Sequence, residues 1–144
     1  AYVLAQEFIL ESKKSVNRLL IVNVSPIIIG NRAAMYRRMS PKGDILSNMH
    51  VGGTRKKVEY TKVEARIAEM IRPKLISDGL YFVGADIVGN KLLEINVFCP
   101  GGINNINELY NINVGAYVIE DLEKRVRLFK SSPTGAILSL IKTG

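Results

Sequence analysis

The sequence predicts an α+β domain in which an antiparallel β-sheet packs against helices. Three observations predict this fold class. Short runs rich in β-forming residues alternate with turn signals over the first forty residues. Thr61–Asp78 has the capping residues and apolar period of a helix. Gly89–Asn90 separates two apolar runs, which is typical of a β-hairpin.

The first forty residues predict an antiparallel meander, and a long irregular segment follows it. Met39–Lys57 contains Pro41, Gly43 and Asp44 and has no clear period. A loop of this length within a compact domain is uncommon and is often a functional lid, although a plain surface loop remains an alternative. A polar turn is expected at Glu11–Asn17, and the predicted strands are Tyr2–Leu10, Arg18–Val22, Ile27–Ile29 and Ala33–Arg38.

The segment after the irregular loop carries the clearest helix signal. Thr61 and Glu64 form a capping-box pattern. Gly79 is placed to end the helix, and Pro73 within it should kink or split it. One apolar stripe of this helix consists of Val63, Ile67, Met70, Ile71 and Leu75.

The second half of the chain predicts a hairpin followed by helices. The predicted strands are Leu80–Val88 and Lys91–Phe98, and the predicted helices are Ile103–Asn111 and Gly115–Leu128. The stripe of the last helix consists of Val118, Leu122, Val126 and Phe129. We expect residues 1–130 to form one domain and residues 131–144 to form a tail.

Composition restricts the class of protein. At 144 residues and 47% hydrophobic residues, the chain is long and apolar enough for one folded domain. No run of eighteen apolar residues and no signal-peptide pattern is present, so we expect no membrane partner. The single Cys99 excludes an internal disulfide and fits a reducing cytoplasm, while the single His50 excludes a His-rich metal site. Because an apolar run begins directly at Ala1, we also expect a missing upstream part.

The net charge of +7 is compatible with nucleic acid, a membrane surface or small anionic ligands. Its basic residues lie in four separated clusters, which argues against a continuous nucleic-acid tract, and each cluster can equally be solvated surface charge. These clusters are Lys13–Lys14, Arg37–Arg38, Arg55–Lys57 and Lys124–Arg127.

The hairpin carries acidic residues in otherwise apolar strands. Alternation places Leu92, Glu94 and Asn96 on one face, and Leu93, Ile95 and Val97 on a core face. Asp86 lies opposite Glu94 only if the hairpin has a three-residue loop or a bulge, which we therefore predict. Two facing carboxylates repel, so a cation such as Mg²⁺ between them is one solution. Pairing with arginines such as Arg18 or Arg38 is the other.

Residues 83–97, Val-Gly-Ala-Asp-Ile-Val-Gly-Asn-Lys-Leu-Leu-Glu-Ile-Asn-Val, resemble the metal-binding signature of ATP-grasp enzymes. The pattern is most similar to that of the bacterial glutathione synthetases, and the similarity extends to about Leu128. It implies the C-terminal lobe of an ATP-grasp domain, with ATP and Mg²⁺ (or Mn²⁺) as cofactors. It also implies metal ligation by Asp86, Glu94 and Asn96, and contacts of Arg18 and Arg38 with the phosphate and the tetrahedral intermediate.

The resemblance implies two further nucleotide contacts. Ala5-Gln6-Glu7-Phe8 is similar to the strand that links the two lobes, where Gln6, Glu7 and Phe8 would hold adenine mainly by backbone groups. Residues 47–53, Ser-Asn-Met-His-Val-Gly-Gly, resemble the Gly-rich mobile loop, where Asn48, Gly52 and Gly53 would cover the nucleotide.

The implied reaction joins a carboxylate to an amine at the expense of ATP, with γ-glutamylcysteine and glycine as the implied substrates. Three positions depart from the family pattern: Ser15–Val16, Leu46 and Phe98-Cys99-Pro100-Gly101, the last in a loop that contacts the peptide substrate. Another ATP-grasp amino-acid or peptide ligase, such as a glutamate ligase, is therefore an alternative. A non-catalytic basic binding module of the same fold is a second alternative. The upstream lobe of the family is absent, so we expect this segment alone to be inactive; a homo-oligomer stays open.

Overall fold

The sheet is built on one central strand. The structure is a computed structural model that describes residues 9–13, 15–39 and 54–131. After a 3₁₀ turn at Leu10–Lys13, the strands are β1 Ser15–Val22, β2 Ser25–Pro26, β3 Ile28–Ile29, β4 Arg32–Ala33, β5 Met35–Met39, β6 Thr54–Lys56, β7 Phe82–Val88 and β8 Lys91–Asn96. The helices are α1 Lys62–Ser77, α2 Ile103–Tyr110 and α3 Val114–Ser131.

Strand β1 lies in the middle of a sheet with the order β6-β5-β1-β7-β8, and every pairing is antiparallel. Strand β2 also pairs with β1, and β3 and β4 form a separate two-stranded ribbon. Seven of the eight β1 residues are buried, and helices cover both faces of this strand along Leu19–Val22. The predicted α+β class with an antiparallel sheet is confirmed.

Two apolar clusters divide the core, one on each face of the sheet. Leu19 and Ile21 of β1 pack with Ile67, Ile71 and Leu75 of α1. On the opposite face, alternate β1 residues pack against α2 and α3 in a cluster that contains Leu20, Val22, Tyr36, Ile106 and Val114. The two-residue period of β1 therefore assigns consecutive side chains to different layers.

Helix α1 begins as the sequence predicts. The Thr61 side chain accepts a hydrogen bond from the Val63 backbone N–H, and Glu64 accepts one from the Thr61 backbone N–H, so the capping box is confirmed. Gly79 follows the helix with φ +66°. Pro73 does not split the helix, because α1 runs unbroken from Lys62 to Ser77. The other expected effect of Pro73, a kink, stays a prediction.

Some strand boundaries differ from the expectations. The turn predicted at Glu11–Asn17 ends early, because β1 already begins at Ser15 and pairs with Met39. The segment Met39–Lys57 is not loop throughout: Thr54–Lys56 pairs with β5. The strand predicted at Tyr2–Leu10 lies outside the described residues except for its last two positions, of which Leu10 belongs to the 3₁₀ turn.

Two predicted helices are confirmed with small shifts, as α2 and α3. Among the helices in the described ranges, none combines the length and the hydropathy that crossing a membrane would need. The division of the chain at residue 130 stays a prediction, since α3 continues to Ser131 and residues 132–144 lie outside the described part.

Candidate functional site

The face of the sheet that α2 and α3 cover is apolar at one end and charged at the other. Along β1 this face carries Val22, Leu20 and then Arg18, and along β7 it carries Phe82, Gly84 and then Asp86. Because both strands change from apolar to charged at the same register, the charged residues collect beyond the edge of the helical layer. Arg38, Glu94 and Asn96 lie on the same face, opposite Val16, Asp86 and Gly84 respectively.

The centre of this cluster is a buried ion pair between neighbouring strands. Arg18 Nε and Nη2 donate to the two carboxylate oxygens of Asp86, each at 2.7 Å. Arg38 Nη2 also donates to Asp86 Oδ2. The side chains of Arg18, Arg38 and Asp86 are 9%, 12% and 1% exposed, so the Asp86 carboxylate is almost fully enclosed by guanidinium groups.

These contacts fix the charge states of the pair. Burial by itself would raise the pKa of Asp86, but the hydrogen bond from Arg18 and the charges of Arg38 and Arg18 outweigh it and hold that pKa below its ordinary value. Burial would likewise lower the pKa of Arg18, and the hydrogen bond and charge of Asp86 reverse this and raise it. Asp86 is therefore a carboxylate at neutral pH.

Glu94 faces Asp86 because the hairpin contains a β-bulge. Gly89 and Asn90 form a two-residue turn, with Val88 opposite Lys91 and Ile87 opposite Leu92. The register then shifts by one residue, so that Asp86 lies opposite Glu94 and Leu93 is the extra residue. The prediction that Asp86 and Glu94 face each other through a loop or bulge is confirmed.

The same bulge corrects the predicted core face of β8. Leu92 and Ile95 both pack against the α1-side core, whereas the simple alternation separates them. Val97, expected in the core, is 53% exposed. An extra residue reverses the side-chain alternation of one strand, which the apolar pattern of Lys91–Phe98 alone does not reveal.

Glu94 and Asn96 form the open side of the cluster. The Glu94 side chain is 56% exposed, and its Oε1 lies 3.7 Å from Arg18 Nη2. Asn96 Nδ2 donates to Glu94 Oε1 at 3.0 Å and lies 3.4 Å from the Gly84 carbonyl oxygen. The cluster therefore has a buried carboxylate held by arginines and, directly across the strand pair, a second carboxylate that solvent can reach.

The residues fit a hard cation by their chemistry. Asp86, Glu94 and Asn96 offer oxygen atoms, the ligands that Mg²⁺ prefers. A carboxylate has about four acceptor sites, of which Asp86 uses three for the donors of Arg18 and Arg38. No group of three His, Cys, Asp or Glu side chains suited to a metal occurs in the described ranges. Asn96 or non-protein oxygens would therefore complete such a site.

The arginines also fit an anion. Arg38 Nε is buried and has no hydrogen-bond acceptor among the described residues, although its Nη2 contacts Asp86. A buried donor without an acceptor carries a free-energy cost that an anionic ligand would remove. The cluster thus presents both a carboxylate surface for a cation and a guanidinium donor for an anion.

The segment after β8 packs closely over Arg18. Pro100 is buried, and its Cβ lies 3.3 Å from where a Cβ on Gly84 would stand. A Cβ on Gly101 would lie 3.9 Å from Arg18 Nη1, and one on Gly102 would collide with the buried Tyr36 ring at 2.6 Å. The base of this loop is therefore tightly held.

The start of the same loop is open to solvent. Phe98 is 93% exposed, and Cys99 is exposed with a left-handed φ of +52°. These are two of the positions at which the sequence departs from the family pattern, and they follow Asn96 by two and three residues in the chain. The loop after β8 therefore carries an exposed aromatic side chain and an exposed thiol.

Arg55 belongs to this face, and the sequence did not reveal it. It lies opposite Arg38 on β6 and donates to Asn105 and Glu108 of α2. In the sequence, Arg55–Lys57 is one of four basic clusters, each of which is compatible with solvated surface charge. Only the β5–β6 register, which no local pattern signals, identifies Arg55 as a link between the sheet and α2.

A cleft of about 460 Å³ lies on the opposite, α1 side of the sheet. Its apolar lining comes from Val63, Ile67 and Met70, with Asn90 at the hairpin turn. It is thus remote from the charged cluster on the other face. The remaining predicted nucleotide contacts, Gln6, Glu7, Phe8, Asn48, Gly52 and Gly53, lie outside the described residues.

Comparisons with known proteins identify the family of this chain. The family described as "Prokaryotic glutathione synthetase, ATP-grasp domain" matches residues 1–111. The chain is 38% identical over 124 residues to a glutathione synthetase of Synechocystis sp., covering 85% of this chain and 37% of that protein. It is 35% identical over 124 residues to the glutathione synthetase of Synechococcus elongatus, covering 86% of this chain and 36% of the relative.

A more distant relative gives the same result. The glutathione synthetase of Vibrio parahaemolyticus is 31% identical over 126 residues, covering 88% of this chain and 38% of that protein. The chain thus spans little more than a third of the length of these curated relatives. The matched region contains all the charged residues of the cluster described above, and the chain belongs to the prokaryotic glutathione synthetase family, within its ATP-grasp domain.

Proposed function

We propose that this chain supplies the cation-binding side of the active site of an ATP-dependent carboxylate–amine ligase, and that the ligase makes glutathione. The observation that carries the proposal is the facing pair Asp86 and Glu94, with Arg18 and Arg38 on the same sheet face. The relatives are named glutathione synthetases, and that name supports the choice of substrates.

The proposed reaction has two steps, phosphoryl transfer and amide formation. The γ-phosphoryl group of ATP passes to the cysteinyl carboxylate of γ-glutamylcysteine, giving an acyl phosphate and ADP. The glycine amine then attacks the acyl carbon, a C–N bond forms, the C–O bond to phosphate breaks, and inorganic phosphate and one proton leave. Such chemistry needs positioned charges more than an acid or a base.

Asp86, Glu94 and Asn96 are the residues that would hold Mg²⁺, with Mn²⁺ as an alternative. When bound, the cation neutralises the negative charge of the nucleotide phosphates during phosphoryl transfer. Glu94 is the residue that reaches the nucleotide from the open side, since its side chain is 56% exposed and Asp86 is buried. Asp86 is the one proposed metal ligand that also accepts hydrogen bonds from both Arg18 and Arg38.

Arg18 and Arg38 would bind the acyl phosphate and the tetrahedral intermediate. The unused Nε donor of Arg38 supports this role, because a planar guanidinium suits phosphate oxygens. The segment that resembles the mobile loop, with Asn48, Gly52 and Gly53, would keep water from the acyl phosphate, and Gln6, Glu7 and Phe8 would hold adenine.

Because the chain spans little more than a third of its relatives, we propose that the full-length protein, and not this segment alone, carries the activity. An upstream lobe of the full-length protein would contribute the rest of the ATP site. A cytoplasmic location fits the need for ATP and a reduced thiol substrate. Partners beyond these small molecules are not required by the mechanism, and homo-oligomerisation stays a separate proposal.

The test compares Glu94→Gln with Glu123→Gln in the full-length protein. Both changes convert an exposed carboxylate to an amide, and Glu123 lies on the polar side of α3 with a side chain 61% exposed. The assay is ADP formation that depends on Mg²⁺, γ-glutamylcysteine and glycine. We expect Glu94→Gln to lose on the order of 100-fold or more of kcat/KM, and Glu123→Gln to keep full activity.

Equal activity of the two variants would contradict the assignment of Glu94 as a metal ligand. Absence of any ATP-dependent ligation by the unmodified protein would favour the non-catalytic binding module instead. The exposed Phe98 and the Cys99 beside it favour one second candidate, an ATP-grasp ligase for a different peptide or amino acid. Profiling of acceptor amines and donor carboxylates separates that candidate from glutathione synthesis.

A further inference from the structure

Helix α2 is short, and its own sequence does little to stabilise it. It has eight residues, of which three are asparagine, a weak helix former. Its N-cap residue, Gly102, makes no side-chain hydrogen bond to the first turn. Helices of about two turns are marginal in water even when they consist of good helix formers. The position of α2 therefore depends on its contacts with the rest of the fold.

The inner side of α2 is held by apolar packing. Ile106 is fully buried in the cluster that also contains Leu20 and Tyr36, and the backbone at Gly102 lies close to the Tyr36 ring. Apolar burial has no preferred direction. These contacts keep α2 on the sheet, but a directional contact is needed to fix its rotation and its shift along the sheet.

Directional contacts come from β6 and the residue two positions after it. Arg55 donates through Nη1 to Asn105 Oδ1 and through Nη2 to Glu108 Oε2. Asn105 and Glu108 are three residues apart and so lie on one flank of α2. The Tyr110 hydroxyl accepts from the Val58 N–H at 2.9 Å and donates to the Val58 carbonyl oxygen at 3.0 Å. This edge of the sheet thus holds α2 over most of its length.

Helix α2 is joined directly to the loop base that packs on Arg18. Pro100 is buried against Gly84, and a Cβ on Gly101 would lie 3.9 Å from Arg18 Nη1. Arg18 uses Nε and Nη2 for Asp86, so Nη1 is the part of its guanidinium that does not donate to that carboxylate. Since Gly102 alone separates this loop base from α2, a shift of α2 would move Pro100 and Gly101 relative to Arg18 Nη1.

We propose that Arg55 is a positioning residue of the active site. By fixing α2 it holds Pro100 and Gly101 against Arg18, and it thereby sets the position of Arg18 Nη1 for the substrate carboxylate that receives the phosphoryl group. This inference rests on the proposed function, in which Arg18 binds the acyl phosphate formed from that carboxylate. Arg55 acts through α2, because its guanidinium is bound to that helix.

The charges around Arg55 separate this role from overall stability. Arg55 lies directly opposite Arg38, and like charges at such positions destabilise a strand pair. Asp86 compensates Arg38, while Glu108 compensates Arg55. The side chains of Arg55 and Glu108 are 34% and 62% exposed, so their ion pair contributes little to global stability. Loss of Arg55 should therefore loosen α2 without unfolding the domain.

The test compares the steady-state kinetics of Arg55→Met and Lys56→Met in the full-length protein. Lys56 is the next residue of β6, is exposed and lies opposite Arg37 on the other face, so its loss removes the same charge from the same strand. We expect Arg55→Met to raise the KM for γ-glutamylcysteine about tenfold or more and to keep the KM for ATP within about twofold. Lys56→Met should leave both KM values unchanged.

The selective change in one KM identifies positioning. Partial unfolding lowers the apparent kcat through loss of active protein, but it cannot raise the KM for one substrate alone. Arg55→Lys keeps the charge without the planar fork and should give a smaller rise. Because Arg55 and Glu108 act through one contact, Arg55→Met combined with Glu108→Gln should raise the KM by less than the product of the single effects.

Hydrogen exchange of backbone amides tests the link to α2 without the reaction. Arg55→Met should speed exchange at residues 103–110 about tenfold, because the directional contacts of this flank are lost. Exchange in α1, which is packed on the other face of the sheet, should stay the same. Lys56→Met is again the control and should leave exchange in both helices unchanged.

Three results would overturn the role of Arg55. The first is an unchanged KM for γ-glutamylcysteine in an active Arg55→Met protein. The second is an equal rise in the KM for ATP, which would show a general disturbance of the site. The third is unchanged amide exchange in α2. If the unmodified protein forms no product at all, the proposed function is contradicted instead, and the amide exchange alone then decides whether Arg55 fixes α2.

Discussion

Replacing Asp86 by Asn removes the charge that neutralises two buried arginines. The Asp86 side chain is 1% exposed and accepts hydrogen bonds from Arg18 at 2.7 Å through both oxygens and from Arg38. Asparagine has almost the same volume, so no cavity forms. It keeps one acceptor oxygen and places an amide N–H₂ where Arg18 or Arg38 needs an acceptor.

The magnitude follows from the burial of the partners. Arg18 and Arg38 are only 9% and 12% exposed, so neither guanidinium can regain full hydration without moving β1 or β5. Removing one partner of a buried ion pair typically costs about 3–5 kcal/mol of unfolding free energy. Such a loss is a large fraction of the total stability of an ordinary domain, which is about 5–15 kcal/mol.

Urea unfolding at neutral pH, followed by circular dichroism, measures this loss, with Glu94→Gln as the matched control. Glu94 lies on the neighbouring strand and is 56% exposed, and its contact with Arg18 at 3.7 Å should contribute no more than about 1 kcal/mol. We therefore expect the Asp86→Asn midpoint to fall far below that of Glu94→Gln. If the two variants unfold at the same urea concentration, the reasoning that buried arginines depend on Asp86 is refuted.

Three further predictions concern parts of the fold that support the site. Gly102→Ala should lower stability by about 2–5 kcal/mol in the same assay, because φ is +112° and the new Cβ would meet the buried Tyr36 ring at 2.6 Å; an unchanged midpoint would contradict this. Thr61→Ala should cost about 1 kcal/mol, because it removes the side-chain acceptor of the α1 capping box, and Thr61→Ser should restore most of it. Burial and the hydrogen bond to Asp121 raise the pKa of Tyr81, so the folded state keeps its proton longer than the unfolded chain, and stability should fall as pH rises above about 10. A Tyr81→Phe variant should lack that part of the alkaline loss, and parallel curves for the two proteins would be evidence against the shift.

Local sequence signals predicted the elements whose structure depends on neighbours in the chain. The capping box at Thr61 and Glu64 is a contact between residues three apart, and the Gly89–Asn90 turn joins adjacent runs. The opposition of Asp86 and Glu94 was predicted as well, because the alternative register places a carboxylate against Leu93. In each case the physical constraint acts within about ten residues.

Contacts between distant segments were not predictable in the same way. Thr54–Lys56 forms a strand only because β5 offers an unpaired edge, and nothing in those three residues signals it. The bulge at Leu93 satisfied the predicted opposition but also moved Leu92 to the core face. The role of Arg55 depends on both that edge strand and α2, which lies fifty residues further along the chain.

The sequence left two interpretations of Asp86 and Glu94 open, an arginine ion pair or a cation site, and the geometry shows that they need not compete. Asp86 is turned inward to the arginines, while Glu94 is turned outward to solvent across the same strand pair. The ion pair with the arginines holds the Asp86 carboxylate in one position opposite Glu94. A cation bound between the two carboxylates would need its ligands held in place in this way. The two interpretations then predict a division of effects: loss of Asp86 should reduce both stability and activity, whereas loss of the Glu94 charge should reduce activity with stability nearly unchanged. A Glu94→Gln variant as unstable as Asp86→Asn would show that the hairpin carboxylates act as one structural unit and would leave the cation site without its outward ligand.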